Sequence, residues 1–285
     1  MEKMNKTNNY TVEITSKHYL FNIDFKTLWK YKDLILLFVK RNFVSKYKQT
    51  ILGPAWAIIE PLLTTIVFSV VFGGLAKLPT DGIPSFLFYL SGTICWQYFS
   101  KNVTETASTF IANAPIFGKV YFPRLVVPIS TVITNVISYV IQLLLLLITM
   151  MIYVFAGFQI HPTLLVLLFP LLLLQMALLS LGVGMITSAL TTRYRDLMML
   201  ISFGIQLWMY ATPVAYSIEL IPKKWMWLYM LNPMTPILET FRAGFLGINS
   251  FNLLYYLLSW VVTLLIMVVG LVLFNSVERN FIDTV

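Results

Sequence analysis

The sequence predicts an all-α integral membrane protein with six transmembrane helices. An N-terminal amphipathic interface helix precedes them, and re-entrant outer helices lie between spans 5 and 6. Three observations predict this class. Of 285 residues, 58% are hydrophobic and 11% charged, and the mean hydropathy is +0.80, whereas a soluble domain is about half apolar and about a quarter charged. The apolar residues fall in long runs, and a bilayer core takes about 20 helical residues to cross. Lys and Arg also gather on alternate connections, the asymmetry that orients a chain in a membrane.

Residues 1–25 are polar and mixed in charge, with no apolar stretch, so no cleavable signal peptide is expected. They read as a cytoplasmic tail ahead of a transmembrane domain over 26–285. Residues 26–44 follow a helical period. Lys26, Lys30, Asp33, Lys40 and Arg41 share one arc, and Leu28, Tyr31, Ile35, Phe38, Val39 and Phe43 the other, with Lys32 and Leu37 breaking the pattern. A basic amphipathic helix of this kind lies in the headgroup plane rather than crossing it.

Span 1 covers residues 52–75 and is broken by Pro54 and Pro61; span 2 covers 84–103 and is rich in aromatic rings. Span 3 (126–155) exceeds the length a crossing needs, which implies tilt or a cytoplasmic extension. Spans 4, 5 and 6 cover 164–190, 197–216 and 253–274. Between spans 5 and 6, residues 217–251 are too polar and too broken by proline to cross. Their apolar pieces, 225–231 and 236–247, suit a re-entrant hairpin whose backbone is covered by protein.

With the N-terminus inside, the basic residues before span 1 join Lys101, Lys119, Arg124, Arg193, Arg195 and Arg279 on the cytoplasmic side. Lys77, Lys223, Lys224 and Arg242 fall outside. Both termini are therefore expected in the cytoplasm of an inner-membrane, multi-pass protein. The net charge of +8 is concentrated near the membrane-proximal N-terminus, which points to membrane or protein partners rather than nucleic acid.

The residues offer little to an enzyme. His18 and His161 lie apart in a tail and an outer turn, Cys95 is the single thiol, and no metal site is expected. No G-x-x-x-x-G-K-[ST] phosphate cradle occurs, so any ATP and magnesium would be bound by another polypeptide. Glu60, the carboxylate well inside a span, is either a transport contact or the partner of a nearby Lys or Arg; Glu105 reads as a wetted span end. Trp56, Phe68, Phe72, Tyr89, Trp96, Tyr98 and Phe99 are either anchors and core or the lining of a path on which sugar rings stack. Ser180, Gly184 and Ser188 recur every fourth residue, which admits a close neighbouring backbone within one protomer or between two.

The segment VKRNFVSKYKQTILGPAWAIIEPLL (39–63) resembles the start of the membrane subunit of ABC-type exporters of lipid-linked polysaccharide, such as O-antigen, capsule or teichoic acid. NAPIFGKVYFPRLVVPIS (113–130), RYRDL (193–197), ATPVAY (211–216) and LNPMTPILETFR (231–242) extend the resemblance in order and spacing. It implies a permease half that homodimerises and recruits two copies of a separate ATPase subunit. It further implies an interface helix and substrate inlet around Lys40, Arg41, Lys46, Tyr47, Lys48 and Gly53. A coupling helix over 107–122 with Lys119, Phe122, Pro123 and Arg124, and a second ATPase contact at Arg193, Tyr194, Arg195 and Asp196, follow from the same resemblance. So do outer gate helices carrying Trp225, Trp227, Pro233, Pro236 and Arg242. An ion-coupled secondary transporter or a membrane-embedded glycolipid transferase is the alternative. The first normally shows mid-membrane ionisable relays and inverted repeats, and the second clustered carboxylates.

Overall fold

The computed structural model describes residues 25–281 except Gln49 and Arg195, and the described residues form helices and no strand. Residues 1–24 of the expected tail over 1–25, including His18, lie outside the described residues, and Phe25 already begins the first helix. Two helices, α1 (Phe25–Lys30) and α2 (Lys32–Tyr47), occupy the amphipathic stretch and meet at Tyr31. The apolar arc of α2 is covered by protein. Phe38 is buried, and Leu28, Tyr31, Leu34 and Ile35 pack on the core, while Leu36 and Leu37 stay exposed.

A 3-10 turn at Gly53–Ala55 leads into α3 (Trp56–Phe68), which widens into a π-helical turn over Ser69–Leu75. A Cβ on Gly73 in that turn would lie 2.9 Å from Ser85 Cβ, so glycine permits the close approach to the next helix, α4 (Ser85–Ala107). Next come α5 (Thr109–Phe117), α6 (Val126–Phe155) and, after a 3-10 turn at Leu164–Leu168, α7 (Phe169–Arg193). The last four are α8 (Leu197–Tyr210), α9 (Lys223–Leu231), α10 (Met234–Leu246) and α11 (Leu253–Phe281).

Several hydroxyl residues of the long helices bond the chain's own carbonyls, although those of Thr65, Thr93, Thr106 and Ser188 are buried without such a bond. In α6, Ser130 and Thr131 donate to Val127 O and Thr134 donates to Ser130 O, which removes the cost of a lone hydroxyl in an apolar medium.

Four helical segments are long and apolar enough to cross a membrane: Gly53–Leu75, Val126–Phe155, Leu164–Arg193 and Leu253–Glu278. The other two expected spans differ for physical reasons. α4 is long enough, but every residue from Leu87 to Phe99 is buried by other helices, so it carries Ser91, Thr93 and Gln97 against protein. α8 has 14 residues, about 21 Å of helix at 1.5 Å each, which falls short of a hydrocarbon core.

α4 is the axle of the fold. Asn102 on α4 donates to Ser180 of α7 at 3.2 Å, and Thr191 of α7 donates to Ala107 O at the end of α4 at 2.7 Å. A Cβ on Gly184 would lie 2.5 Å from Thr106 Cβ. The small-residue stripe on α7 thus serves packing inside one chain.

Candidate functional site

At one end of α4 the chain gathers its charges. Lys46, near the end of α2, donates to Glu105 at 3.1 Å and to Asn135 of α6 at 3.0 Å. Asn135 donates in turn to Glu105 at 2.8 Å and Asn102 at 2.9 Å. Tyr47 shares a 2.8 Å hydrogen bond with Ser138 of α6. One turn back along α4, Lys101 donates to Glu60 of α3 at 2.5 Å. Glu60 therefore has the basic partner that one of its two readings calls for, and Glu105, expected to be merely wetted, is bound by Lys46 and Asn135. Asn102 and Asn135 went unremarked in the sequence, although amides on long apolar helices signal polar partners within the protein.

Below this network α5 is held by aromatic rings. Phe38 of α2 meets Phe122 at 5.7 Å, Phe122 meets Phe117 at 5.7 Å, and Phe110 meets Phe274 of α11 at 4.7 Å. Arg41 lies 4.2 Å from the Phe38 ring centre and reaches Asn113 of α5 at 3.4 Å. Arg124 covers Phe117 at 5.4 Å and donates to Glu278 O at 2.9 Å. Burial lowers the Arg124 pKa from its ordinary value and Glu278 raises it in part.

The expected coupling residues separate into two groups. Phe122 and Arg124 face inward and Pro123 is half-buried, whereas Lys119 is exposed together with Val120 and Tyr121. Arg193 and Tyr194 are exposed and stack at 5.4 Å, beside exposed Asp196. Arg195 lies outside the described residues. Lys40 and Lys48 are exposed, and Gly53 adopts a left-handed backbone with φ of 50°.

The candidate path rings have core neighbours. Trp96 and Phe99 pack on Trp208 at 6.5 and 5.1 Å, Tyr98 on Tyr139 at 5.1 Å, and Tyr89 on Phe68 at 6.3 Å. Tyr89, Trp96, Tyr98 and Phe99 are buried because α4 is enclosed, whereas Trp56, at 46%, and Glu60 of the proposed lining are exposed.

The opposite end is built around one cation. Arg242 of α10 is fully buried, stacks 3.8 Å from the Phe88 ring centre, and donates to Pro213 O at 2.6 Å and Val214 O at 2.9 Å. Longer contacts reach Ser91 and Glu239, both at 3.4 Å. Every residue of α10 is buried, as are Pro233 and Pro236, whereas Trp225 and Trp227 on α9 are exposed. Asn232 joins this end to α8, accepting from Trp208 at 3.0 Å and donating to Thr212 at 2.8 Å.

Known proteins share this chain's sequence over most of its length. The ABC-2 type transporter family matches residues 33–246. The O-antigen export system permease protein RfbA of Klebsiella pneumoniae is 28% identical, covering 88% of this chain and 94% of its own. The protein of the same name from Myxococcus xanthus is 31% identical over 77% of this chain and 83% of its own. The polysialic acid transport protein KpsM of Escherichia coli is 26% identical over 86% and 93%. Together with an all-helical fold carrying four membrane-length apolar segments, these matches place the chain in the ABC-2 type transporter family.

Proposed function

We propose that the chain is the membrane subunit of an ATP-driven exporter that moves lipid-linked polysaccharide of the O-antigen, capsule or teichoic acid type across the inner membrane. Relatives named for O-antigen export and polysialic acid transport, matched along nearly their whole length, carry this reading. ATP and magnesium belong to a separate ABC ATPase subunit, two copies of which serve a homodimer of this chain. Six crossings result if α4 spans inside a jacket of neighbouring helices and α8 is completed by the turn at 211–216, with both termini cytoplasmic. The α9–α10 segment then forms a re-entrant outer gate.

The exposed Lys119–Tyr121 strip after α5 and the exposed Arg193, Tyr194 and Asp196 loop supply a docking face for the ATPase. Closure of the ATPase dimer on ATP pushes α5, a two-state motion biased by differential partner binding. Phe122 and Arg124 hold α5 to the bundle from inside.

The test is deletion of the chain in its host, with polymer located by surface labelling. Polymer should accumulate in the cytoplasm on its lipid carrier and reach the surface again when the chain is restored with its ATPase. Restoration of export by the chain without any ATPase, or unchanged surface polymer on deletion, contradicts the reading.

A further inference from the structure

Between Lys48 and Ala55 the chain turns from α2 into α3, and most described residues of this corner are exposed. Ile51 is fully exposed, Leu52 and Trp56 are exposed, and no atom lies within 4 Å of a Cβ built on Gly53. What holds the corner is its two flanks. On the α2 side Lys46 pairs with Glu105 and Asn135 beside the Tyr47–Ser138 bond, and on the α3 side Glu60 pairs with Lys101. Gln142 of α6 adds a neutral tie, donating to Ala57 O at 3.1 Å and to Gln97 at 3.2 Å.

The two ion pairs belong to one row. Lys101 and Glu105 stand four residues apart on α4, where helical neighbours share a face. Read across the helices, the charges run Lys46, Glu105, Lys101, Glu60, alternating in sign and summing to zero. The row uses every charged residue of α3 and α4. Both pairs are partly exposed, with side chains 25–48% accessible, so they add little to stability and their value lies in register. Ser108 alone separates the end of α4 from α5.

From this arrangement we infer that Lys101 and Glu105 are positioning residues that bind the α2–α3 corner to the foot of α4, so that a displacement of α5 carries the corner with it. The inference rests on α5 being the segment the ATPase drives. Export requires the alternating order of the four charges rather than the particular residues. Reversing one charge places like charges side by side and loosens one flank of the corner, leaving only its neutral tie, while inverting all four restores the order.

The experiment uses the full chain assembled with its ATPase, reading surface polymer, chain abundance and ATPase activity together. Lys101→Glu should lower export roughly tenfold, the scale of coupling between contacting charges. Abundance and ATPase activity should stay within about twofold, because exposed pairs contribute little to stability. Adding Glu60→Lys, Lys46→Glu and Glu105→Lys to that variant should return export to within about threefold of the unaltered chain if order is what matters. Normal export by Lys101→Glu overturns the inference, as does a parallel fall in export and abundance that full inversion fails to relieve. The unaltered complex separates the two levels: if it hydrolyses ATP but exports nothing, the exporter reading fails and not the charge row.

Discussion

The two ends of α4 are fastened by different chemistry. At the α5 end, Lys46, Glu105, Lys101 and Glu60 bind side chain to side chain and remain partly wet. At the other end Arg242, fully buried, donates to the backbone carbonyls of Pro213 and Val214 and lies on the Phe88 ring. A side-chain pair can be rewritten by exchanging partners, but a carbonyl cannot be exchanged by substitution. A buried cation also has no water to return to when its acceptors move. The Arg242 joint is therefore expected to govern stability, and the charged joint at the α5 end to govern coupling.

Arg242→Met tests that contrast where the effect is largest. It leaves two carbonyls and Glu239 without their cation, and should cost about 3–5 kcal/mol, read as a lowered unfolding temperature in detergent and reduced abundance. A variant as stable as the parent would dissolve the distinction between the two ends. Gly92→Ala presses on the same joint by a smaller amount. Its Cβ would lie 2.8 Å from both Arg242 Nη2 and Val214 O, an overpacking expected to cost about 1–3 kcal/mol in the same assay. Glu60→Gln sharpens the comparison from the other side. Its partner Lys101 is a quarter exposed, so stability should change by less than about 1 kcal/mol. Export by this variant should also stay insensitive to collapse of the proton gradient, since the carboxylate serves a lysine.

How much of this was legible in the sequence follows from what surrounds each helix. α6, α7 and α11 announce themselves because their outward faces are apolar all along. α4 gave its length and its rings, yet its enclosure was hidden. Ser91, Gln97 and Asn102 read as dilution of a span until the structure supplies Arg242, Gln142 and Ser180 as their neighbours. The rings of α4 were ambiguous between core and path for the same reason, since a ring's type does not record what faces it. Lys46 and Arg242 were singled out, but their partners were not, because Glu105 and the 213–214 carbonyls are distant in sequence. For Glu60 a basic partner was one of two readings, and Lys101 is that partner. The helical period of 26–44 gives two helices rather than one, and α2 is weakly amphipathic, with Leu36 and Leu37 exposed, while what covers it, Phe122 and the foot of α6, was a tertiary fact.

Both joints sit on one helix, so under the proposed ATPase drive on α5, α4 should carry the motion to the 211–216 turn as a single piece. Spin labels at Ser108 and Ala211 measure this in the assembled complex, with labelled chain diluted into unlabelled chain; the native thiol Cys95 is buried and takes no label. The distance within one chain should be the same with and without ATP, while the distance between Ser108 labels on two chains should shift by several ångströms. A Ser108–Ala211 distance that changes with ATP would show that α4 is not the connecting piece.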